Sequence, residues 1–366
     1  MHLAFVIVSL FPWGGLQRDC LRLARAAKQA GHDVTILAAR IKGELPRDLK
    51  VKVLSVRAFT NHGRNRRFST AVRGIAGCFD RVVGFNKLPW LDVLYCGDVC
   101  FADRKRKFWD ALNPRVGGML ALEEACFAPG SRTRVLALTE AQIAAYRRTW
   151  QTPADRITLL PPSVDAARRH PEFRTDGTRE RVRSELGLEG STLALLSIGT
   201  SARTKGFDRS ISALPEIPNA TFLVCGVAPE GREATALLNQ ARGLGVADRI
   251  RLLGPRAEVP ELMAAADLFV HPARTETAGI VILEALINGL PVVTTQVCGF
   301  SFHVRSAEAG MVIPEPFTVV KLIDALRHAT DSSCRETWSV NAASYGADPQ
   351  LYSGADRALQ VILEVD

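Results

Sequence analysis

Short apolar runs rich in β-branched residues alternate with amphipathic stretches along most of this chain, and this alternation constrains its fold more than any other feature. Such alternation is typical of βαβ units packed around a parallel sheet. Strands are predicted at residues 3–10, 34–38, 51–56, 81–85, 93–95, 135–138, 157–160, 193–198, 221–225, 249–253, 268–270 and 291–294. Helices are predicted at residues 16–30, 208–214, 233–243, 260–266 and 280–288. The pattern therefore predicts an α/β protein made of two doubly wound, Rossmann-like domains.

The two halves of the pattern meet at Pro161 and Pro162, which end a strand-forming run and are followed by a charge-rich stretch. The 366 residues are enough for two domains that each bury a core. We expect an N-terminal domain at residues 1–160, a linker at 161–190, a C-terminal domain at 191–345, and a last helix within 346–366 that packs back towards the N-terminal domain. Because open parallel sheets bind ligands at the carboxyl ends of their strands, we expect both domains to face a central cleft.

The net charge, the longest apolar run and the cysteine spacing limit which partners, location and metals are expected. A formal net charge of +8 favours an anionic partner: nucleic acid, an acidic membrane surface or a phosphorylated small molecule. The longest apolar run, residues 3–11, is too short to cross a bilayer and lacks the flanks of a secretory leader, so a cytoplasmic protein is expected. The eight cysteines form no Cys-x-x-Cys pair and the histidines no His-Glu-x-x-His, so we expect no metal and no cofactor.

A Gly14-Gly15 pair stands between the first predicted strand and the first predicted helix. Glycines at this point let a ligand approach the free N–H groups of a helix N-terminus. The pair is weak evidence by itself, because tight strand-to-helix turns need glycine for geometry alone. It is not the three-glycine dinucleotide fingerprint, which argues against a nicotinamide enzyme.

The stretch from Asp267 to Glu284 carries the strongest chemical signal. A strand ends near His271, a loop follows, and a helix is predicted to begin near Gly279, so the amides of residues 279–281 (Gly279, Ile280, Val281) would face a diphosphate. Glu276 and Glu284 would lie at most ~12 Å apart if the segment were wholly helical. One carboxylate could accept hydrogen bonds from a sugar and the other from ribose hydroxyls. The alternative is a capping glutamate and a solvated glutamate.

These motifs resemble a known family. The resemblance is carried by the Glu276-x7-Glu284 spacing, by Gly14-Gly15, and by residues 11–19, 60–65 (Thr-Asn-His-Gly-Arg-Asn), 80–87 (Asp-Arg-Val-Val-Gly-Phe-Asn-Lys), 262–268 (Leu-Met-Ala-Ala-Ala-Asp-Leu) and 294–299 (Thr-Thr-Gln-Val-Cys-Gly). In these blocks the chain resembles the lipopolysaccharide core heptose glucosyltransferase I family of retaining GT-B, GT4-type glycosyltransferases. The similarity covers nearly the whole chain.

The resemblance implies roles for individual residues. It implies that Gly14-Gly15, Arg168, Arg203, Lys205, Arg256, Glu276, Thr277, Ala278, Gly279, Ile280, Val281 and Glu284 bind a UDP-sugar donor, and that Asp98, Asp19 and Glu276 act in catalysis. Within this set Lys205 neutralises the diphosphate, Arg168 reaches the nucleotide from the linker, and Arg256 lies in the uridine-side loop. Asp19 lies near the acceptor side. Asp98 faces the cleft and orients the acceptor or assists proton transfer, although capping a loop is the structural alternative for it.

Two positions depart from the family pattern. The family has Arg-Lys before the glycine at 206, whereas this chain has Thr204-Lys205 with Arg203 displaced by one residue. Thr277 replaces the alanine of glucosyltransferase relatives, next to the glutamate that contacts the donor sugar. A hydroxyl there could accommodate a different sugar substituent, so UDP-glucose is expected from the resemblance and UDP-N-acetylgalactosamine is the alternative donor.

The resemblance also implies the reaction and its setting. The expected reaction is hexose transfer, with retention at the anomeric carbon, to a heptose of the lipopolysaccharide inner core on the cytoplasmic face of the inner membrane. A front-face route needs positioning and electrostatic stabilisation more than a strong base. Residues 103–134, with the basic run Arg104–Lys107 beside Phe108 and Trp109, are expected to dock on anionic lipid, although an isolated basic run is often only solvated.

Two other functions are compatible with parts of the sequence. A sugar-nucleotide epimerase would share the fold but is not expected to carry the Glu276/Glu284 pair or a basic docking segment. A nucleic-acid-binding protein would explain the +8 charge, but no helix-turn-helix, RNP-like or zinc-finger signature is present and no nucleic-acid partner is expected.

Overall fold

The computed structural model describes residues 1–11, 14–44, 46–104 and 112–364. The chain divides into two compact units: Met1–Ser163 together with the chain from Tyr352 onward, and Val164–Leu351. Each unit is built on one parallel sheet, so the predicted α/β class with two Rossmann-like domains is confirmed. Within the described residues, no helix combines the length and apolar character needed to cross a membrane.

The first unit contains a seven-stranded parallel sheet in the order β3-β2-β1-β4-β5-β6-β7. Its strands are β1 His2–Leu10, β2 Asp33–Ile41, β3 Lys50–Val53, β4 Arg81–Gly84, β5 Val93–Cys96, β6 Arg134–Ala137 and β7 Ile157–Leu159. Its helices are α1 Gly15–Gln29, α2 Asn61–Arg73, α3 Pro114–Phe127, α4 Glu140–Trp150 and, after the second unit, α14 Gly354–Glu364.

The central strand β1 shows why its sequence forms a buried strand. Successive side chains of a strand point to opposite faces, so a strand covered on both sides reads as a continuous apolar run. Leu3, Phe5 and Ile7 pack into the cluster on one face, whereas Ala4 and Val6 pack into the cluster on the other. Helix α14 contributes Ala358, Val361 and Ile362 to the first of these clusters and packs against α1.

The second unit contains a six-stranded parallel sheet in the order β10-β9-β8-β11-β12-β13. Its strands are β8 Leu193–Ile198, β9 Ala220–Cys225, β10 Ile250–Gly254, β11 Leu268–His271, β12 Val292–Thr295 and β13 Gly310–Ile313. Its helices are α5 Thr178–Glu185, α6 Ala202–Lys205, α7 Phe207–Ala213, α8 Arg232–Gly243, α9 Val259–Ala265, α10 Ile280–Ile287, α11 Ser301–Ser306, α12 Val319–His328 and α13 Ser332–Tyr345.

The segment expected to be a linker, residues 161–190, differs from the prediction. From Val164 onward it belongs to the second unit, and α5 packs against α9. Arg174 and Arg179 donate to the carbonyls of Ala264 and Ala266 at the end of α9. These arginines satisfy helix C-terminal carbonyls that would otherwise lack partners. The charged residues that suggested a solvent-exposed linker therefore include arginines that bind this segment to α9 of the second unit.

Candidate active site

The second sheet has its topological switch point between β8 and β11. The chain leaves β8 outwards to β9 and β10 and then returns to β11 on the other side of β8. The segments that follow β8 and β11 therefore diverge at the carboxyl end of the sheet, which is where open α/β sheets bind ligands. Residues 199–206 follow β8 and residues 272–279 follow β11, and these two segments contain the predicted donor residues Arg203, Lys205 and Glu276–Gly279.

Glycines shape the segment after β8 around Lys205. A Cβ built on Gly199 would lie 2.8 Å from Lys205 Cγ, so a side chain there would displace the lysine stem. Gly206 has a φ of 75°, and a Cβ there would lie 2.0 Å from the carbonyl oxygen of Pro272. These close approaches explain why glycine is required on both sides of the lysine.

Glu276 is held by two donors at the switch point. Lys205 Nζ donates to Glu276 Oε2, and His271 Nε2 lies 3.2 Å from the same oxygen. Burial by itself raises the pKa of Glu276, but the hydrogen bond from His271 and the charge of Lys205 outweigh burial and lower the pKa to about 2. The carboxylate is therefore ionised throughout the physiological pH range. His271, which is fully buried at the end of β11, is a site residue that was not predicted from the sequence.

Arg274 cross-links the two segments. Its guanidinium makes a bidentate pair with Asp208 at 2.6 Å for both N···O contacts, and Nη1 also donates to the carbonyl of Arg203 at 2.8 Å. Its backbone N–H donates to the carbonyl of Thr204 at 2.9 Å. Bidentate pairs of this kind fix orientation as well as position. The lysine-bearing and glutamate-bearing segments thus form one preorganised structure.

The loop of residues 296–300 fixes the far side of the glutamate segment. Glu276 forms an isolated parallel bridge with Cys298, and the N–H of Phe300 donates to the carbonyl of Ala278 at 2.7 Å. Ala278 is buried and Thr277 is half-buried.

Helix α10 begins where the sequence predicts. Gly279 is its N-cap with a φ of 85°, and no side chain caps the helix, so the first-turn amides of Ile280 and Val281 have no capping side chain in front of them. A diphosphate is the type of group that such a helix N-terminus accepts.

Glu284 is buried rather than solvated, so the alternative of a surface glutamate is wrong for this residue. Arg168 Nε lies 3.0 Å from Glu284 Oε1, and both side chains belong to the second unit. Asn288, one turn later on α10, donates to the carbonyls of Glu284 at 2.7 Å and Arg168 at 3.0 Å and accepts from the N–H of His170. The arginine that the resemblance selected is therefore brought to the glutamate, and Asn288 holds the segment that carries it.

Arg256 and Arg203 lie further from these contacts. Arg256 follows the edge strand β10 and donates to Glu258 at 2.8 Å and to the carbonyl of Leu253 at 3.1 Å. Burial raises the pKa of the Cys225 thiol to about 11, while the charges of Arg256 and Arg168 act in the opposite direction, which places both cations near the end of β9. Arg203 is exposed on α6.

The predicted residues of the first unit follow β1 and β5. Gly14 is the N-cap of α1, where a built Cβ would lie 1.8 Å from Gln17 Oε1, whereas a Cβ built on Gly15 would meet no atom within 4 Å. Asp19, inside α1, accepts a hydrogen bond from Arg22. Burial, followed by the charge of Asp19, raises the pKa of Tyr95 well above its usual value, so the carboxylate lies beside the end of β5.

Asp98 has an exposed side chain on a backbone that is firmly held. Its carbonyl accepts from Gln142 Nε2 at 2.9 Å and Tyr146 Oη at 3.1 Å. The next residues are held by Glu123, which is fully buried and accepts from the N–H groups of Phe101 at 2.7 Å and Ala102 at 2.9 Å.

Lys87 Nζ closes this network. It donates to Glu123 Oε2 at 2.5 Å and to the carbonyl of Val99 at 2.8 Å. Lys87 ends one of the blocks that carry the family resemblance, residues 80–87, and no role for it was predicted from the sequence. Within the described residues, no group of three or more His, Cys, Asp or Glu side chains is placed to hold a metal ion. Of the expected docking segment, residues 105–111 lie outside the described part of the chain, so the basic run is described only at Arg104.

Two parallel-sheet units with a lysine, a glutamate and a helix N-terminus at the switch point of the second are the arrangement of the GT-B fold of glycosyltransferases. Residues 178–344 match the family model described as glycosyl transferases group 1. The chain is 38% identical over 372 residues to lipopolysaccharide glucosyltransferase WaaG of Escherichia coli K12, covering 99% of this chain and 98% of that one. The chain therefore belongs to the WaaG family of glycosyltransferases.

Solved structures agree with this assignment. A crystal structure of WaaG, described as a glycosyltransferase involved in lipopolysaccharide biosynthesis, has a TM-score of 0.93 and covers 99% of this chain and 100% of its own. Anabaena Alr3699/HepE in complex with UDP-glucose has a TM-score of 0.79 at 18% identity, with 99% of each chain covered, and shows the shared fold. The family assignment favours a transferase over the epimerase and the nucleic-acid-binding alternatives.

Proposed function

We propose that this enzyme transfers a hexose from a UDP-sugar, with UDP-glucose as the expected donor, to a heptose of the lipopolysaccharide inner core, and that the anomeric configuration is retained. The observation that carries the proposal is the meeting of Lys205 and Glu276 at the switch point of the second sheet, directly before the N-terminus of α10. The name of the E. coli relative supports a glucosyl donor and a lipopolysaccharide acceptor.

The donor binds in this proposal by exchanging partners with the resting ion pair. The diphosphate accepts hydrogen bonds from Lys205 Nζ, which turns away from Glu276, and lies in front of the amides of Ile280 and Val281. Glu276, which is ionised and held by His271, then accepts hydrogen bonds from the sugar hydroxyls. Glu284 is oriented by Arg168 and accepts from the ribose hydroxyls.

The transfer step then relies on electrostatic stabilisation of the leaving group. As the bond to the anomeric carbon breaks, negative charge develops on the β-phosphate, where Lys205 and the helix amides stabilise it. The departing phosphate accepts the proton of the attacking hydroxyl on the same face of the sugar, which gives retention. Asp98, with its backbone fixed by Gln142 and Tyr146, orients the acceptor hydroxyl or assists the proton transfer. Asp19 serves the acceptor side.

We propose further that transfer requires no metal and no cofactor, since Lys205 and the α10 amides already supply positive potential to the diphosphate. Dialysis against a chelator should leave the rate unchanged. A rate that falls with chelation and returns on adding a divalent cation would refute this part of the proposal.

Donor binding tests the site directly. Calorimetry or thermal shift with UDP, UDP-glucose and UDP-N-acetylgalactosamine should show stabilisation that rises with ligand concentration, because a ligand that binds only the folded state stabilises it by mass action. Glu276→Ala should retain UDP binding, since its contact is to the sugar, but lose transfer. Glu185→Ala, at an exposed residue of α5 that pairs with Arg181, is the matched control and should behave like the parent. A Glu276→Ala enzyme that keeps most of its kcat would refute the assigned role.

The proposed acceptor is anchored in a membrane, so the enzyme has to act at the membrane surface. We propose that residues 103–134 dock on the anionic cytoplasmic face of the inner membrane. Each basic residue near such a surface contributes about 1 kcal/mol. Neutralising Arg104–Lys107 together should reduce partitioning onto vesicles of phosphatidylcholine with phosphatidylglycerol, and added salt should weaken the binding of the parent. Equal flotation of the variant and the parent would exclude this segment.

A further inference from the structure

The first unit carries a strongly basic stretch that none of the roles above uses. Residues 49–79 contain seven basic residues and no aspartate or glutamate. They are Lys50, Lys52, Arg57, Arg64, Arg66, Arg67 and Arg73. Lys50 pairs with Asp33 at 2.7 Å, but among the described residues none of the five arginines makes an ion pair, so their potential extends into solvent.

Helix α2 presents part of this charge to solvent. Phe68, Ser69 and Val72 form its buried face, whereas Arg66 and Arg67 are exposed. Arg57 is exposed just before the helix, and Arg67 donates to its carbonyl, so the approach to the helix is fixed rather than extended. The charge therefore lies on one ordered surface.

Exposed aromatic residues lie at both ends of this helix. Phe59 precedes α2 and its side chain is fully exposed. Near the other end, the Trp90 side chain is 56% exposed, with the guanidinium of Arg73 at 3.9 Å from its ring centroid. Ser69 donates to the carbonyl of Pro89, which ties the Trp90 turn to the helix. Large apolar side chains left in water beside arginines are typical of surfaces that rest in a lipid interface.

A groove runs between α2 and α3 on the same surface. It has a volume of about 620 Å³ and its lining includes Phe59, His62, Arg66 and Arg67. The helices approach closely here, since Gly118 has no side chain: a Cβ built on it would lie 3.1 Å from the His62 ring. The groove thus offers cations, an imidazole and an aromatic edge to a phosphate-bearing group.

We propose that the α2 surface, defined as Arg57, Phe59, Arg66, Arg67 and Trp90, is a docking site for the anionic phospholipids of a membrane. It adjoins the segment at residues 103–134, because α3 of that segment forms the other wall of the groove. The combination of unneutralised arginines with exposed aromatics at both helix ends favours a bilayer over a soluble partner. The inference rests on the proposed membrane-associated function for its biological setting, but its binding test does not depend on transferase activity.

The test is vesicle flotation of the full chain carrying Arg57→Gln and Arg66→Gln. Vesicles are made of phosphatidylcholine alone or with phosphatidylglycerol added. The parent should bind only the anionic vesicles, and the double variant should bind them about thirtyfold more weakly. The matched control is Arg232→Gln with Arg242→Gln, which removes two exposed arginines from α8 of the second unit. This control should bind as tightly as the parent, and Phe59→Ser should weaken binding without changing net charge.

Three results would overturn the proposal. Binding of the Arg57/Arg66 variant equal to that of the parent would exclude the surface. Equal loss in the α8 control would show that net charge alone governs binding. Tight binding of a short RNA, with no binding of anionic vesicles, would assign the surface to nucleic acid. Transfer to a deacylated, water-soluble acceptor should be unchanged in the double variant, so failure of the transferase assignment would be seen separately from failure of vesicle binding.

Discussion

Replacing Glu276 by glutamine should lower the stability of the second unit by a predictable amount. Glutamine keeps the shape of the side chain and its acceptor oxygen but removes the charge that Lys205 and His271 face. A fall in the Glu276 pKa from 4.5 to about 2 corresponds to about 3 kcal/mol of stabilisation of the folded state. The side chain is 14% exposed, so solvent screens this interaction only in part.

The lowered pKa of Glu276 also determines how the stability difference between the parent and the variant depends on pH. Because the folded-state pKa of Glu276 is depressed, its contribution is fully present above the unfolded value near 4.5 and is lost as the pH falls towards 2. The free energy of unfolding of the parent and of Glu276→Gln, measured by urea denaturation, should therefore differ by about 3 kcal/mol near neutral pH and by less than half of that near pH 3.

Glu185→Gln, at an exposed carboxylate of α5, is the control and should change stability by no more than about 0.5 kcal/mol. A difference below about 1 kcal/mol for Glu276→Gln at neutral pH, or a difference that does not shrink on acidification, would refute the assignment of the charge pair.

Three further predictions concern individual side chains. Glu284→Gln should raise the KM for the donor more than it lowers kcat, since it removes a ground-state ribose contact; steady-state kinetics with unchanged KM would contradict this. Thr277→Ala should shift the ratio of rates with UDP-N-acetylgalactosamine and UDP-glucose towards UDP-glucose if the threonine hydroxyl contacts the sugar substituent, and an unchanged ratio would assign Thr277 to packing. Glu123→Gln should destabilise the first unit by about 3–5 kcal/mol because it leaves Lys87 buried beside a neutral partner, as measured by urea unfolding; a loss below about 1 kcal/mol would show that the ion pair is not important for stability.

Much of the fold could be predicted from local sequence patterns. The strand β8 was predicted at its observed bounds, and β1 and β11 within one residue at each end. Strand β13, Gly310–Ile313, was not predicted; it begins with a glycine of positive φ. The prediction of a linker at residues 161–190 was wrong because a charge-rich stretch is typical of solvent-exposed chain. Here Arg174 and Arg179 instead donate to carbonyls about 85 to 92 residues away.

In the candidate site, too, some features follow from local sequence and others depend on contacts between distant segments. The spacing of Glu276 and Glu284, with Gly279 at the start of α10, is local, and the sequence predicted the helix start at its observed place. That Glu284 is buried beside Arg168 depends on Asn288, which joins two segments 120 residues apart. No local pattern specifies such a pairing.

The sequence by itself determined where most strands and the helices α1, α7, α8, α9, α10 and α14 form, because side-chain periodicity and turn residues act over a few neighbouring positions. The tertiary structure decided which charges meet. Lys205 and Glu276 are 71 residues apart and share a hydrogen bond because β8 and β11 are neighbours in the second sheet. Glu123, on α3, holds the loop after β5 by accepting from the N–H groups of Phe101 and Ala102 and from Lys87 Nζ, which lies 36 residues earlier in the chain. Strand order, which no local pattern specifies, brings these scattered polar residues together at the carboxyl ends of neighbouring strands, where open α/β sheets bind ligands.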